Sequence, residues 1–218
     1  MKPIHSILFD LDGTLLDTAA DLGTALNALL SEEKLPNVPF DAIRTTAGLG
    51  SRALLNLGMK IDPTHERYTL LQNRFFEFYE KHLTDQTQFF PGMTETLLFL
   101  DQKNISWGIV TNKPSRFTKP LLNHLQLDQR AGCIISGDTL PFHKPHPAPL
   151  QHACDLLKCH TENCIYVGDA ESDVLASRSA NMRVFTALYG YISPNENPTE
   201  WKADGYLNHP TDLIQWLL

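Results

Sequence analysis

The sequence ILFDLDGTLLD at residues 7–17 is an apolar run that ends in two carboxylates, Asp10 and Asp12. Such a run is typical of a parallel strand buried on both faces, and ligands bind beyond the carboxyl ends of such strands. We therefore expect Asp10 at the edge of a sheet, with Gly13 freeing the backbone so that Asp12 faces the same small space. Two carboxylates this close repel each other unless a cation or a proton shares their site. The pattern suits an aspartate nucleophile, an acid–base partner and a hard metal ion such as Mg²⁺.

Composition narrows the possible function classes. The chain has 218 residues, of which 42% are hydrophobic, and a formal net charge of -7. This charge argues against a general nucleic-acid binder, because phosphate backbones bind basic surfaces. No apolar run approaches membrane-spanning length, so we expect no membrane partner. The first strand candidate begins too near the amino terminus for a secretory signal, which predicts a cytoplasmic protein.

Strand candidates alternate with segments that can form helices along most of the chain. This alternation predicts an α/β fold built on a doubly wound parallel sheet. Helix candidates lie at residues 97–103, 115–125, 147–157 and 172–180. The strand candidates are Ile4–Phe9, Ile105–Val110, Cys133–Ser136, Ile165–Val167, Val184–Ala187 and Tyr206–Leu207.

The segment between the first two strand candidates is too long for a simple crossover. Residues 18–84 contain helical patterns and no convincing strand, which predicts a helical cap domain inserted after the first strand. An insertion at this place can cover the reactive edge of the sheet and exclude water. The predicted domains are therefore an α/β core at residues 1–17 and 85–218 and a cap at residues 18–84. The helical patterns in the cap are Asp21–Leu30, Phe40–Ala47, Ser51–Leu57 and His65–Leu83.

Three further groups of polar residues follow strand candidates. Thr111 and Asn112 come after the second strand, Lys144 ends the loop after the third, and Asp169 and Asp173 follow the fourth. Since the carboxyl ends of parallel strands share one edge of the sheet, these groups can converge on one pocket beside Asp10.

The combined chemistry of these groups fits phosphoryl transfer. The Thr111 hydroxyl and the Asn112 amide can bind phosphate oxygens, and Lys144 can neutralise the charge that develops during transfer. Asp169 adds a carboxylate for Mg²⁺, which usually keeps several waters beside one or two carboxylates. Asp173, one helical turn later, can orient those waters or hold Lys144.

These motifs resemble those of the haloacid dehalogenase superfamily, and within it the phosphoglycolate-phosphatase-like branch. The resemblance covers FDLDGTLLDT at 9–18, the helical segment, TNKP at 111–114, HKPHP at 143–147 and GDAESD at 168–173. It implies that Asp10 becomes an aspartyl-phosphate and that Asp12 protonates the leaving alcohol and then deprotonates water. It also implies that Asp10, the backbone carbonyl of Asp12 and Asp169 hold Mg²⁺. An aspartate at position 12 and the threonine at position 14 favour a phosphatase over an ion pump or a mutase in this superfamily.

Substrate specificity is expected from the cap. The segment AGLGSR at residues 47–52 resembles the substrate loop of this branch. There, Gly50 can let backbone N–H groups approach an anion, and Arg52 can bind a substrate carboxylate. The alternative is an ordinary helix–helix turn with Arg52 in solvent. Arg44, Lys113 and Arg116 are weaker candidates.

The resemblance implies a small-molecule phosphomonoester, with 2-phosphoglycolate as the first choice and N-acetylmuramic acid 6-phosphate as the alternative. A catalytically idle module that uses the fold to bind a ligand or partner is a third hypothesis. The sequence makes no prediction about oligomeric state.

Four cysteines occur at positions 133, 154, 159 and 164. Cys154, Cys159 and Cys164 could be imagined as a zinc site, with His152 and His160 nearby. The spacing lacks a CxxC pair, however, and Cys154 lies in a helical pattern. We interpret the cysteines as structural thiols.

Overall fold

A fully parallel six-stranded sheet forms the centre of the protein in a computed structural model that describes residues 4–218. α-Helices separate consecutive strands of the sheet along the chain, except for the last two strands. In chain order the elements are β1 (Ser6–Phe9), β2 (Leu16–Asp17), α1 (Ala19–Glu32), α2 (Phe40–Ala47), α3 (Gly50–Met59), α4 (Tyr68–Lys81), β3 (Gln88–Phe89), α5 (Met93–Gln102), β4 (Ser106–Val110), α6 (Ser115–His124), β5 (Ile134–Ile135), α7 (Ala148–Leu157), β6 (Cys164–Gly168), α8 (Glu171–Ser179), β7 (Arg183–Ala187), β8 (Gly205–Leu207) and α9 (Asp212–Leu217).

The order of the strands in the sheet is β5-β4-β1-β6-β7-β8. From β1 the chain winds outward to β4 and β5, then returns to the other side of β1 and continues through β6, β7 and β8. This is the doubly wound order, in which ligands bind outside the carboxyl ends of the strands where the winding direction reverses. The predicted fold class is confirmed, and the topology directs attention to the ends of β1 and β6.

Strand β1 is apolar throughout because both of its faces are covered. Ile7 and Phe9 pack into the apolar cluster on one face of the sheet, and Leu8 packs into the cluster on the other. All three are essentially inaccessible to solvent. Hydrogen bonds to β4 on one side and β6 on the other hold the strand at the centre of the sheet.

Residues 19–81 contain four helices and no strand. Apolar side chains of α1 and α4 pack into the same cluster that covers one face of the sheet; among them are Leu26, Leu29, Leu71 and Phe75. The short antiparallel pair of β2 and β3 lies at the two places where the chain leaves and rejoins the rest of the fold. No helix within residues 4–218 is long and apolar enough to cross a bilayer.

Several predicted boundaries were wrong by a few residues. The third strand was predicted over Cys133–Ser136, but β5 contains only two residues because it is an edge strand that pairs with β4 alone. The last helical pattern of the cap was predicted from His65. It begins at Tyr68 because the Asp62 carboxylate accepts hydrogen bonds from Thr64 and holds the preceding residues in a turn. The β2–β3 pair was not predicted.

Candidate active site

The carboxyl ends of β1 and β4 open into a cavity of about 600 Å³. Five of the residues singled out in the core line it: Asp10, Asp12, Thr111, Asn112 and Lys144. Asp169 and Asp173 are buried beside it, after the end of β6. The structure therefore brings together the groups that follow four different strands.

Asp10, Asp169 and Asp173 form a cluster of three carboxylates. One oxygen from each lies within 4.8 Å of the others. Burial raises the pKa of Asp10 to about 7. The negative charge of Asp173 raises this pKa further, and the positive charge of Lys144 lowers it, but burial is the largest effect. Burial and the charges of Asp10 and Asp173 likewise raise the pKa of Asp169 well above its usual range. A further cation among these oxygens would offset the repulsion between the three carboxylates, and carboxylate oxygens are the ligands that Mg²⁺ prefers.

Lys144 supplies the positive charge already present in this cluster. Its Nζ lies 2.9 Å from Asp10 Oδ1 and 2.7 Å from Asp173 Oδ1. It also donates a hydrogen bond of 2.7 Å to the Tyr166 hydroxyl, which in turn donates to the Val110 carbonyl at 2.7 Å. Burial opposes the charge, but the two carboxylates outweigh it and raise the pKa of Lys144. Lys144 is therefore a fixed ammonium group beside Asp10.

The Asp12 carboxylate does not share the partners of Asp10, Asp169 and Asp173. Its Oδ1 accepts a hydrogen bond of 2.6 Å from the Thr18 hydroxyl and lies 2.9 Å from Lys113 Nζ. Lys113 also donates to the Tyr79 hydroxyl of α4 at 2.7 Å. Asp12 thus has its own cation, separate from Lys144. Its side chain is not part of the three-carboxylate cluster, and the metal contact predicted for this residue is one of its backbone carbonyl.

Lys113 has a larger part in this site than the sequence indicated. Burial lowers its pKa, but Asp12 and Tyr79 outweigh that effect and raise it overall. The signal in the sequence was its place directly after Thr111 and Asn112 at the end of β4. Its contact with Tyr79 also joins the helical segment to the sheet.

Asn112 is turned toward the backbone of Lys144. Its Nδ2 donates to the Lys144 carbonyl at 2.9 Å, and its Oδ1 accepts from the Lys144 N–H at 3.0 Å. These two bonds position the lysine and leave the second N–H of the amide without a hydrogen bond to Lys144, so the predicted use of Asn112 on phosphate stays a prediction. The Thr111 hydroxyl accepts a hydrogen bond of 3.1 Å from the Lys113 N–H and keeps its own proton to donate.

Asp169 is held by the turn after β1 and the loop after β7. The Thr14 hydroxyl donates to its Oδ1 at 2.9 Å, and the Tyr191 N–H donates to its Oδ2 at 2.8 Å. Gly13 has a φ of +84°, and a Cβ at this position would lie 2.1 Å from Asp169 Oδ2. Only glycine fits here, because the turn needs both a left-handed backbone and close approach of the carboxylate.

Residues of the helical segment form the opposite wall of the cavity. Gly48 and Leu49 form the turn between α2 and α3. Gly50 begins α3 with a φ of +77°, and both Gly50 and the exposed Arg52 line the cavity. The other two arginine candidates are engaged elsewhere. Arg44 lies 2.6 Å from Asp17, and Arg116 stacks on the rings of Phe76 and Phe117.

Comparison with known proteins agrees with this geometry. The sequence profile of the haloacid dehalogenase-like hydrolases matches residues 7–187. The chain belongs to the haloacid dehalogenase-like hydrolase family. Among curated relatives, a phosphoglycolate phosphatase of Xanthomonas campestris pv. campestris is 41% identical over 213 residues, which is 98% of this chain and 96% of that protein. An N-acetylmuramic acid 6-phosphate phosphatase of Pseudomonas putida is 37% identical over 210 residues, 96% of this chain and 94% of that protein.

A solved structure agrees over the full length. The crystal structure of a predicted phosphoglycolate phosphatase from Haemophilus somnus superposes with a TM-score of 0.89 at 28% identity, and the match covers 100% of both chains. Within its family, this chain is a phosphatase.

Proposed function

We propose that this phosphatase hydrolyses a small phosphomonoester that carries a carboxylate, with 2-phosphoglycolate as its substrate. The observation that carries the proposal is one cavity lined by Asp10, Thr111 and Lys144 on the sheet side and by Arg52 on the helical side. The sheet side offers a nucleophile and phosphate ligands. Arg52 offers a guanidinium group to a carboxylate at the other end of a short substrate.

In the proposed reaction, Asp10 attacks phosphorus and forms an aspartyl-phosphate while the alcohol leaves. Asp12 donates a proton to the leaving oxygen and then accepts one from the water that hydrolyses the intermediate. The ammonium group of Lys144 and the hydroxyl of Thr111 stabilise the transferring phosphoryl group. The second N–H of the Asn112 amide, beyond the one bound to Lys144, is available to the same oxygens.

We further propose that Asp10, Asp169 and the backbone carbonyl of Asp12 hold Mg²⁺, with Asp173 in support. The clustering of three carboxylates, two of which form ion pairs with Lys144, supports this assignment. The metal, when bound, would offset the repulsion between Asp10 and an anionic substrate and polarise a phosphoryl oxygen.

The division of the chain follows from the same site. We propose that residues 18–84 act as a cap over a core made of residues 1–17 and 85–218. The support is that the helical wall of the cavity, including Arg52 and Tyr79, comes from residues 18–84.

We also propose a cytoplasmic location, because the four cysteines are all free, as is typical of proteins in a reducing compartment.

A second substrate is favoured by the size and character of the cavity. About 600 Å³ is more space than 2-phosphoglycolate fills, and Phe75, Phe76, Tyr79 and Phe117 give the cavity an aromatic wall. N-acetylmuramic acid 6-phosphate also carries a carboxylate, and its sugar ring and acetyl group would cover that wall.

Steady-state kinetics on the two compounds tests the proposal. We expect Mg²⁺-dependent turnover of p-nitrophenyl phosphate that a chelator abolishes. We also expect kcat/KM to be about a hundredfold higher, or about 2.7 kcal/mol, for 2-phosphoglycolate than for N-acetylmuramic acid 6-phosphate; the reverse preference would assign the second substrate. Absence of turnover on a broad panel of phosphomonoesters would instead support a binding module that uses this fold without catalysis.

The Arg52→Gln variant tests the carboxylate contact. We expect KM for the preferred carboxylate substrate to rise by about 10- to 100-fold, because a charge-assisted hydrogen bond contributes about 1.5–3 kcal/mol. Turnover of p-nitrophenyl phosphate, which lacks a carboxylate, serves as the internal control and should keep its KM. An equal rise in KM for both substrates would mean that Arg52 acts on the phosphate or on the fold.

A further inference from the structure

Three of the four cysteines meet at a second site. Cys154 lies on α7, Cys159 lies in the turn that follows, and Cys164 is the first residue of β6. Their three Sγ atoms all lie within 4.8 Å of one another. Cys154 and Cys164 are buried, whereas Cys159 is partly exposed.

The fold creates this cluster by turning the chain sharply after α7. Lys158 has a left-handed backbone with a φ of 54°, and the Cys159 N–H donates to the Cys154 carbonyl at 3.0 Å. A short turn then leads into β6, where Cys164 pairs with Ser6 of β1. The spacing of four residues between successive cysteines is thus compatible with contact, although it contains no CxxC pair.

The cluster is separate from the catalytic cavity. Cys164 begins β6, whereas Asp169 follows its carboxyl end, so the two groups lie at opposite edges of the sheet. The proposed phosphatase reaction uses none of the cysteines.

We propose that Cys154, Cys159 and Cys164 bind one Zn²⁺ ion as thiolates. Zinc binds cysteine sulfur at about 2.3 Å, which places the sulfurs of a tetrahedral site about 3.8 Å apart. Sulfurs within 4.8 Å of one another need only small side-chain movements to reach that geometry. The partly exposed Cys159 provides an entry path for the ion, and water would be the fourth ligand.

Charge also favours a divalent cation over a monovalent one. Three thiolates in a largely buried site carry three negative charges, and a divalent ion leaves less of that charge uncompensated. Soft sulfur ligands select Zn²⁺ over Mg²⁺, which prefers oxygen. The two metal sites of the chain would therefore differ in their preferred ion.

Hydrogen bonds between the three sulfurs link their protonation. A hydrogen bond from the Cys164 thiol is the main cause that lowers the pKa of Cys159, and hydrogen bonds with Cys154 and Cys159 raise the pKa of Cys164. Binding of Zn²⁺ by three thiolates would release to solvent every proton that the three thiols carry, as metals do on binding thiols. The fourth cysteine, Cys133, packs in the same apolar core as Cys154 and Cys164, and burial raises the pKa of its thiol to about 12.

Zinc titration of the full chain tests this proposal. The protein is reduced, stripped of metal with a chelator and kept in excess Mg²⁺ to occupy the carboxylates, and Zn²⁺ is added in competition with a chromogenic chelator. We expect one equivalent to bind with a Kd below about 1 µM. Cys159→Ser, at the partly exposed position, should weaken binding by at least about 100-fold. The matched control Asp169→Asn, in the carboxylate cluster, should bind as the unmodified chain does.

Cobalt substitution gives a readout that does not depend on any variant. Co²⁺ in the unmodified chain should produce a thiolate-to-metal charge-transfer band and the intense visible absorption of a tetrahedral site. Absence of that band would overturn the proposal. So would zinc binding that Asp169→Asn abolishes, or that Cys159→Ser leaves unchanged.

Discussion

Replacing Asp10 by asparagine should lower kcat against p-nitrophenyl phosphate by at least about 10⁴-fold, as expected when a nucleophile is lost. An amide at this position cannot accept the phosphoryl group, and it also removes one carboxylate from the proposed metal site. The side chain keeps nearly the same size, and Lys144 keeps its ion pair with Asp173. We therefore expect the variant to fold, which its circular dichroism spectrum and thermal melting curve will check.

Asp128→Asn is the matched control for this change. It makes the same replacement at an exposed aspartate that does not line the cavity. Its kcat should stay within about twofold of the unmodified value, since exposed positions away from the site tolerate substitution. A loss of less than about tenfold in Asp10→Asn would contradict a nucleophilic role for Asp10.

Replacing Asp12 by asparagine should slow the second half of the reaction more than the first. The p-nitrophenolate leaving group needs no proton, so formation of the aspartyl-phosphate should proceed without Asp12. Activation of water does need a base, and its loss should lower steady-state kcat by about 10²- to 10⁴-fold. Asparagine keeps an oxygen that can accept hydrogen bonds from Thr18 and Lys113, so the local geometry should persist.

Rapid-quench kinetics will measure this effect. We expect a burst of p-nitrophenolate close to one equivalent of enzyme, followed by a slow steady state, in Asp12→Asn but not in the unmodified enzyme. If p-nitrophenolate is released slowly from the first turnover, with no burst, Asp12 is needed to form the aspartyl-phosphate rather than to hydrolyse it.

The strands of the sheet could be predicted because a parallel strand covered on both faces leaves an uninterrupted apolar run, as in β1 and β6. Their order could not be read from the sequence, although the alternation with helices limited it to a doubly wound sheet. The pair of β2 and β3 was missed because strands of two residues leave no periodic pattern.

For the site, the sequence could predict which residues come together but not the contacts that orient them. Asp10, Thr111, Lys144 and Asp169 could be placed together because each follows a strand, and parallel strands end at one edge. The contacts that orient them join residues far apart in sequence, such as Lys113 with Tyr79 and Asp169 with Tyr191. No local pattern marks such pairs, so only the folded chain reveals them.

The cysteines show the limit of spacing arguments. Their separation by four residues is not a familiar metal-binding pattern, and the helical position of Cys154 favoured simple packing. The turn after α7 brings Cys154 and Cys159 together, and the start of β6 adds Cys164. The zinc proposal therefore depends on the local backbone path rather than on a motif.

The most direct test of the proposed chemistry is to find the covalent intermediate. Asp12→Asn is mixed with p-nitrophenyl phosphate and Mg²⁺, quenched in acid within the burst, digested and analysed by mass spectrometry. The account predicts one phosphoryl group on the peptide that contains residues 7–17, attached to Asp10 and absent when Asp10 is also replaced. A phosphoryl group on another residue, or turnover with no covalent enzyme species, would contradict it.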